Sequence, residues 1–284
     1  MALPVTTNTP LVGFPSCTVA FNPLAHRYVV STPIGAFEHP SVTSILKALG
    51  GKGDALLDWA ARQSLGRLQD IVGDASLSPK DLAQACQLAE RSWRDARQTA
   101  ADIGSAVHAA LEAFLSGQEP TPAPMPTEWE NRAVANAVAA GRAILGKHRI
   151  EPIGVEMRLW SPEHGFIGTC DVMAKVDGQL TVIDYKTGKS AEYLEYRLQT
   201  SAYAQAYAAA TGQPVDLRWV LRVGKDGTLK QSRYTAQQQP ADFETFKHIH
   251  ATWRWLQSED RWATHDYDPP LTDEQLVTLH SVNN

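Results

Sequence analysis

The sequence predicts an α/β fold in which a mixed central sheet is flanked by helices, with a helical region ahead of it. Three observations support this prediction. Apolar residues recur at helical spacing over most of the chain up to about residue 148. From Glu151 they alternate with other residues, which is the period of a strand. Helical and extended segments then follow one another to about residue 258, as expected where helices cover a sheet.

Short strands and then helices are predicted before the sheet. Residues 18–30 fit two short strands around Asn22-Pro23, a pair typical of turns. Ser and Thr side chains at 41–44 can cap a helix that runs to Leu49. Longer helices are predicted at 54–72, 79–116 and 127–148, the last two separated by a Pro-rich loop.

The sheet itself is predicted from Glu151 onward. Gly165-Phe166 opens a second strand, and Asp177-Gly178 is a strong two-residue hairpin turn before a third. A helix is expected at 191–211, strands at 217–223 and 228–234, and a final helix at about 240–258. We therefore expect an N-terminal region of strands and helices (1–100), a core domain (101–262) and a loosely held C-terminal tail (263–284).

Composition excludes several classes of protein. The 284 residues include 26 Lys and Arg against 31 Asp and Glu, so a dedicated duplex-coating protein is not expected. The three cysteines have no CxxC spacing, which argues against a disulfide framework and a zinc site. No signal peptide and no apolar run long enough to span a membrane is evident, so the cytoplasm is the expected location.

The hairpin brings charged residues together. A two-residue turn places Val176 opposite Gln179, and the same register predicts that Asp171 stands opposite Asp184. Like charges facing each other at about 4.5–5.5 Å destabilise a sheet. Lys186 would point to the same face as Asp184, because strand side chains alternate.

A divalent cation between the two acids would resolve the repulsion. The alternative is a surface hairpin in which Lys186 forms a salt bridge with one of the acids. The flanking residues Val172-Met173 and Val182-Ile183 are apolar, and this favours a functional site over a solvated ion pair.

Five motifs in order resemble the PD-(D/E)XK nucleases of the RecB-like branch. They are Gly104-Ser-Ala-Val-His108, Val155-Glu156, Ile167-Gly-Thr-Cys-Asp171, Val182-Ile-Asp-Tyr-Lys-Thr-Gly188 and Gln199-Thr-Ser-Ala-Tyr203. Residues 40–46 and Trp59 also look like the N-terminal stretch of phage exonucleases and of the mitochondrial genome maintenance exonuclease. Two departures are Cys170 in place of Pro and Asp184 in place of Glu.

The resemblance implies a restriction-endonuclease-like core and a role for each motif residue. Asp171, Asp184 and His108 would hold Mg²⁺ or Mn²⁺ with the backbone carbonyl of Tyr185. Lys186 would serve the attacking water, and Glu156 would be a further acid of the site. Gln199 would bond the active-site strand, and Tyr203 would pack near the substrate. The cysteines that hold an iron–sulfur cluster in some RecB-like relatives are absent, so no such cluster is expected.

The sequence by itself leaves a purely structural role open for three of these residues. His108 could be a buried structural histidine, Glu156 could pair with Arg158, and Tyr203 could be a core residue.

The resemblance implies a metal-dependent deoxyribonuclease. Its expected substrate is single-stranded DNA with a free end, degraded by exonuclease action in phage or bacterial replication, recombination or repair. A single-strand-binding or recombination protein is the expected partner, and no membrane is. The alternatives are a structure-specific endonuclease and a non-catalytic DNA-binding scaffold with a nuclease fold.

Overall fold

The computed structural model describes residues 9–22, 27–50, 53–73, 78–119, 121–188, 194–259 and 267–283. Within these ranges the chain forms two sheets and seven α-helices. The strands are β1 (Thr9–Leu11), β2 (Phe14–Asn22), β3 (Arg27–Thr32), β4 (Gly35–His39), β5 (Ile150–Ser161), β6 (Phe166–Val176), β7 (Gln179–Lys186), β8 (Leu217–Val223) and β9 (Leu229–Thr235). The helices are α1 (Val42–Leu46), α2 (Gly53–Val72), α3 (Pro79–Leu115), α4 (Glu128–Leu145), α5 (Leu194–Thr211), α6 (Gln239–Ser258) and α7 (Asp273–Asn283).

The predicted mixed sheet is confirmed. Its five strands lie in the order β5-β6-β7-β8-β9. The pair β7 and β8 is parallel and the other pairs are antiparallel, because α5 makes the crossover between β7 and β8. The two-residue turn forms at Asp177 and Gly178, whose φ angles of 53° and 86° are those of a tight hairpin.

Helices cover both faces of this sheet. On one face, Ile103, Val107 and Leu111 of α3 pack with α4 against β6, β7 and β8. On the other face, α1, α5 and α6 bury a second apolar cluster, to which Phe246 and Ala202 contribute fully buried side chains. Because helices cover both faces of the sheet, its central strands consist of nearly continuous apolar residues.

Local sequence explains where the helices start. Ser78 caps α3 ahead of Pro79, and Thr127 forms a reciprocal capping box with Glu130 at the start of α4. The predicted helices are confirmed to within a few residues, except that residues 191–193 lie outside the described residues. Helix α3 runs without a break across residue 100, where the sequence led us to expect a domain boundary.

The N-terminal part contains more sheet than expected. Strands β1 to β4 form a four-stranded antiparallel sheet, whereas only β2 and β3 were predicted, and the turn predicted at Asn22-Pro23 reaches outside the described residues. Alternation is hard to detect in β1 and β4, because they are short.

The end of the chain is packed, so the expectation of a loose tail is wrong within residues 267–283. Helix α7 lies on the N-terminal sheet with Leu279 fully buried, and Asn283 accepts hydrogen bonds from Ser16. No helix in the described ranges is long and apolar enough to cross a membrane.

Candidate active site

The register of the β6–β7 hairpin is the predicted one, but its pairing ends just before the two acids. The ladder runs from Val176 opposite Gln179 to Val172 opposite Ile183. Asp171 and Asp184 come next and are not a paired position. The expected face-to-face pair of acids is therefore not part of the strand ladder.

A hydrogen bond from the backbone to a side chain accounts for the end of the ladder. Oδ2 of Asp171 accepts a hydrogen bond of 2.7 Å from the backbone N–H of Tyr185. Strand β7 meanwhile continues its parallel pairing with β8 as far as Lys186 opposite Arg222. The Asp171 side chain takes the place of a strand partner and is held at the end of the hairpin ladder.

Asp184 is buried and held from two sides. Nζ of Lys186 lies 2.7 Å from its Oδ2, and Nε2 of Gln199 donates to its Oδ1 at 3.1 Å. Gln199 also donates to the hydroxyl of Tyr203 at 2.9 Å. Gln199 and Tyr203 lie one turn apart on α5, so one helix face fixes the carboxylate.

Tyr203 lies behind the acids. Its ring packs over Gly168, where an added Cβ atom would come within 2.5 Å of the ring. Only 3% of Tyr203 is exposed, so the described structure places it in the core and not on an open surface.

His108 approaches the acids from α3. Its Nδ1 lies 3.5 Å from Oδ2 of Asp171, and its ring makes an edge contact with Tyr185 at 5.6 Å between centroids. Val107 and Leu111 are fully buried on the same helix and anchor it over the sheet. The structure thus brings together Asp171, Asp184, Lys186, His108 and Tyr185.

Glu112 joins the site and was missed by the sequence reasoning. It lies one turn after His108 on α3, so the two share a helix face. Donor atoms of His108, Glu112 and Glu156 lie within 4.8 Å of one another. Glu156 reaches this position from β5 with a φ of 48°, which is unusual for a residue other than Gly. The i, i+4 spacing from His108 was the available signal.

The electrostatics of the two acids differ. Burial raises the pKa of Asp184 to about 6, against the opposing effect of Lys186. Burial acts in the same direction on Asp171, but His108, Lys186 and the Tyr185 amide outweigh it and bring the pKa of Asp171 below its ordinary value. The balance between burial, neighbouring charges and hydrogen bonds therefore makes Asp171 the acid that is ionised more readily.

The pKa values of Lys186, His108, Glu112 and Glu156 are also shifted by burial and by their neighbours. Burial acts to lower the pKa of Lys186, but Asp184 and Asp171 raise it above its ordinary value. The pKa of His108 is also raised, because Asp171 outweighs burial. Burial and the neighbouring Glu156 raise the pKa of Glu112 to about 7, and burial and Asp171 raise that of Glu156.

An open cleft of about 500 Å³ leads to these groups. Its α3 side is lined by small residues, including Gly104, where an added Cβ would lie 3.3 Å from Oγ1 of Thr187 on the opposite wall. His108, Glu112 and Glu156 line the same cleft. A ligand can therefore reach the His108 side of the acids between α3 and the sheet.

The donor set suits a hard divalent cation. Asp171 and Asp184 offer carboxylate oxygens, and His108 offers a ring nitrogen. Burial is the main cause of the raised pKa of Asp184, with a smaller contribution from Asp171, so an added cation would favour the ionised form of Asp184. It stays a prediction that the carbonyl of Tyr185 and the carboxylate of Glu156 would contact such a cation.

Comparison with known proteins gives one finding. A family model described as the PD-(D/E)XK nuclease superfamily matches residues 81–268, about two thirds of the chain. The match spans α3, the whole five-stranded sheet, and helices α4 to α6. A search of curated proteins finds no match.

Proposed function

The chain belongs to the PD-(D/E)XK nuclease superfamily and is a metal-dependent nuclease, and we propose that it degrades single-stranded DNA from a free end. The observation that carries the proposal is the meeting of Asp171, Asp184 and Lys186 where the hairpin ladder ends, beside the cleft under α3. We infer the cytoplasm as its location and phage or bacterial DNA replication, recombination or repair as its setting. A single-strand-binding or recombination protein is the inferred partner.

We propose that Asp171, Asp184, His108 and the Tyr185 carbonyl hold the cation, with Glu156 as a further acid. Mg²⁺ or Mn²⁺, when bound there, would supply Lewis acidity at the phosphodiester. Asp171 is held in place by contacts with the Tyr185 amide and His108. The hydrogen bond from Gln199 holds the carboxylate of Asp184 at the proposed cation site.

Lys186 acts on the reacting groups as a cation. Its raised pKa means that the amine is protonated at neutral pH beside Asp184. A protonated amine can orient the attacking water and stabilise negative charge that develops on the phosphate oxygens. In the metal-free protein, the protonated amine favours an electrostatic role for Lys186.

Two of the supporting residues act through others. Gln199 contacts Asp184, and Tyr203 contacts Gln199 and is buried. We propose that Tyr203 positions Gln199 and does not itself touch the substrate, which differs from the role implied by the resemblance.

The size of the cleft supports a single strand as substrate. A volume of about 500 Å³ is in the range of pockets that hold small molecules, and it suits one or two nucleotides better than a duplex. The long helix α3 forms one wall along this cleft, so a strand entering beside it would meet His108 before the acids.

The test uses end-labelled linear and closed circular single strands of the same sequence, with Mg²⁺ and with chelator. We expect linear DNA to be degraded only with Mg²⁺ and circles to be spared. Efficient cutting of circles would instead favour the structure-specific endonuclease. DNA binding without any cleavage under Mg²⁺ or Mn²⁺ would favour the non-catalytic scaffold. Lys186→Ala protein serves as the control for a contaminating nuclease.

A further inference from the structure

A second cation lies close to the acids, on the strands that lead into the site. Arg158 of β5 is paired with Thr169 of β6. Arg158 follows Glu156 by two residues, and Thr169 precedes Asp171 by two. Two residues along a strand span roughly 6–7 Å. This is comparable to the step between consecutive phosphates of an extended nucleic-acid strand.

The guanidinium of Arg158 is held in a defined orientation. Its Nη1 donates to Oγ1 of Thr169, and its Cζ lies 5.7 Å from the centre of the Tyr28 ring. The hydroxyl of Tyr28 also lies 3.2 Å from Oγ1 of Thr169. An aromatic ring and a hydroxyl thus fix the planar group from two sides.

Arg158 forms no salt bridge with a carboxylate in the part of the chain that the structure describes, although its charge opposes the rise that burial produces in the pKa of Glu156. No carboxylate there lies within 4.0 Å of the Arg158 guanidinium, and its hydrogen bond to Thr169 is the only one it makes within those residues. The alternative of an ion pair with Glu156 is therefore not what the structure shows. Arg158 is half-buried, so the remaining N–H donors can meet a ligand from solvent.

We propose that Arg158 binds a phosphate of the substrate strand next to the phosphodiester that is cut. This inference rests on the proposed function and names a subsite for it. A guanidinium with free donors in a fixed plane suits the two oxygens of a phosphate. The ligand class is a polynucleotide with at least two consecutive phosphates.

A purely structural role is the competing explanation. Tyr28 belongs to the N-terminal sheet and Thr169 to the central sheet, so the Arg158 cluster also joins the two sheets. Stability and affinity alone do not separate the two roles. The salt dependence of DNA binding does, because each phosphate contact releases counterions and adds to the slope.

The experiment measures binding of a labelled single-stranded oligonucleotide across a series of salt concentrations. Ca²⁺ replaces Mg²⁺, and a gel confirms that the oligonucleotide stays intact. For Arg158→Gln we expect affinity to fall roughly tenfold. The slope of log affinity against log salt should fall by about 0.7, the value for one phosphate contact in a single strand.

The matched control is Arg149→Gln. Arg149 lies just before the same strand, and its exposed side chain contacts Glu151 at 2.7 Å. That variant should keep the wild-type slope. An unchanged slope in Arg158→Gln overturns the proposal, whatever the change in affinity. Wild-type protein that binds no single-stranded oligonucleotide at all would instead count against the proposed function.

A second variant covers the case in which Arg158→Gln does not fold. Arg158→Lys keeps the charge and loses the planar fork, so the slope should stay and affinity should fall several-fold. Wild-type affinity in a folded Arg158→Lys protein overturns the phosphate contact. Melting curves of each variant establish folding before binding is measured.

Discussion

Nζ of Lys186 lies 2.7 Å from Oδ2 of Asp184, a carboxylate that is fully buried. This ion pair reduces the unfavourable effect of burial and does not cancel it, because the pKa of Asp184 is still raised to about 6. A buried acid that is ionised only with difficulty, close to a second acid, has a strong electrostatic preference for an added cation. The features that destabilise the metal-free protein are therefore those that would bind metal.

Lys186→Ala should abolish cleavage. Loss of one group that stabilises transition-state charge typically lowers kcat by about 10²–10³. The fold in Mg²⁺ and the affinity for single-stranded DNA in Ca²⁺ should change little. The control is Lys175→Ala, since Lys175 is exposed on the same hairpin. Turnover near the wild-type rate in the Lys186 variant would show that the amine is not part of the chemistry.

Asp184→Asn should melt at a higher temperature than the wild type in chelator at about pH 8. The folded-state pKa of Asp184 is about 6, against an ordinary 3.8. The folded protein therefore binds more protons than the unfolded chain between these values, and wild-type stability falls as pH rises through that window. Asn resembles the protonated form, so its advantage is full above pH 6, on the order of 2–3 kcal/mol, and fades toward pH 4.

Thermal melts at several pH values check this expectation. Mg²⁺, Mn²⁺ or Ca²⁺ should raise the wild-type melting temperature, with a stabilisation of about 2.7 kcal/mol at one hundred times the dissociation constant. Asp184→Asn should lose most of that rise, whereas the exposed control Asp58→Asn should keep it. A less stable Asn variant in chelator would mean that the ion pair with Lys186 is mainly structural.

Local sequence patterns predicted much of this site, but they did not predict the contacts that form in the tertiary structure. The Asp177-Gly178 turn is decided by neighbouring residues, so the hairpin register followed from it. The relation of Gln199 to Tyr203 is one helical turn and was equally local. The periodicity of the sequence could not show that the Asp171 side chain would accept the hydrogen bond of the Tyr185 backbone N–H, which a strand partner would otherwise accept.

The missed residues depend on contacts between distant segments. Glu112 is one polar residue on a long helix, and only the packing of α3 over the sheet brings it to Glu156. Leu279 is buried because α7 meets the N-terminal sheet, a contact that no local pattern encodes. Fold class and motif residues were thus accessible from sequence, whereas the third carboxylate and the packed C-terminus were not.

Glu112→Gln should weaken Mn²⁺ binding and flatten its dependence on pH. The pKa of Glu112 is raised to about 7, so a proton competes with the cation near neutral pH. Wild-type affinity should rise between about pH 6 and 8, and the Gln variant should show less of this rise. Calorimetric titration of the whole chain with Mn²⁺ measures both. Glu90→Gln, exposed on the same helix, is the matched control, and equal pH dependence in both variants would exclude Glu112 from the site.

Acid should destabilise the protein through His39, which is not one of the proposed site residues. His39 is fully buried and accepts a hydrogen bond of 2.8 Å from Nε1 of Trp160 at Nδ1. Its Nε2 lies 3.1 Å from the carbonyl of Pro269, to which it must then donate, so the neutral form satisfies both contacts. A proton on Nδ1 would remove the acceptor of the Trp160 N–H.

Burial accordingly lowers the pKa of His39 to about 4, from an ordinary 6.5. The unfolded chain takes up this proton as pH falls through 6.5, whereas the folded protein does so only near 4. The contribution of His39 to stability should therefore be lost between these values, by on the order of 3 kcal/mol, and should not change further below them. Urea unfolding of the wild type and of His39→Gln across this range measures the effect. Because Gln has both a donor and an acceptor and does not titrate, His39→Gln should lose less stability than the wild type as pH falls. The control His248→Gln, whose side chain is 77% exposed, should follow the wild type. Parallel pH profiles for wild type and His39→Gln would show that the His39 contacts with Trp160 and Pro269 are not the source of acid sensitivity.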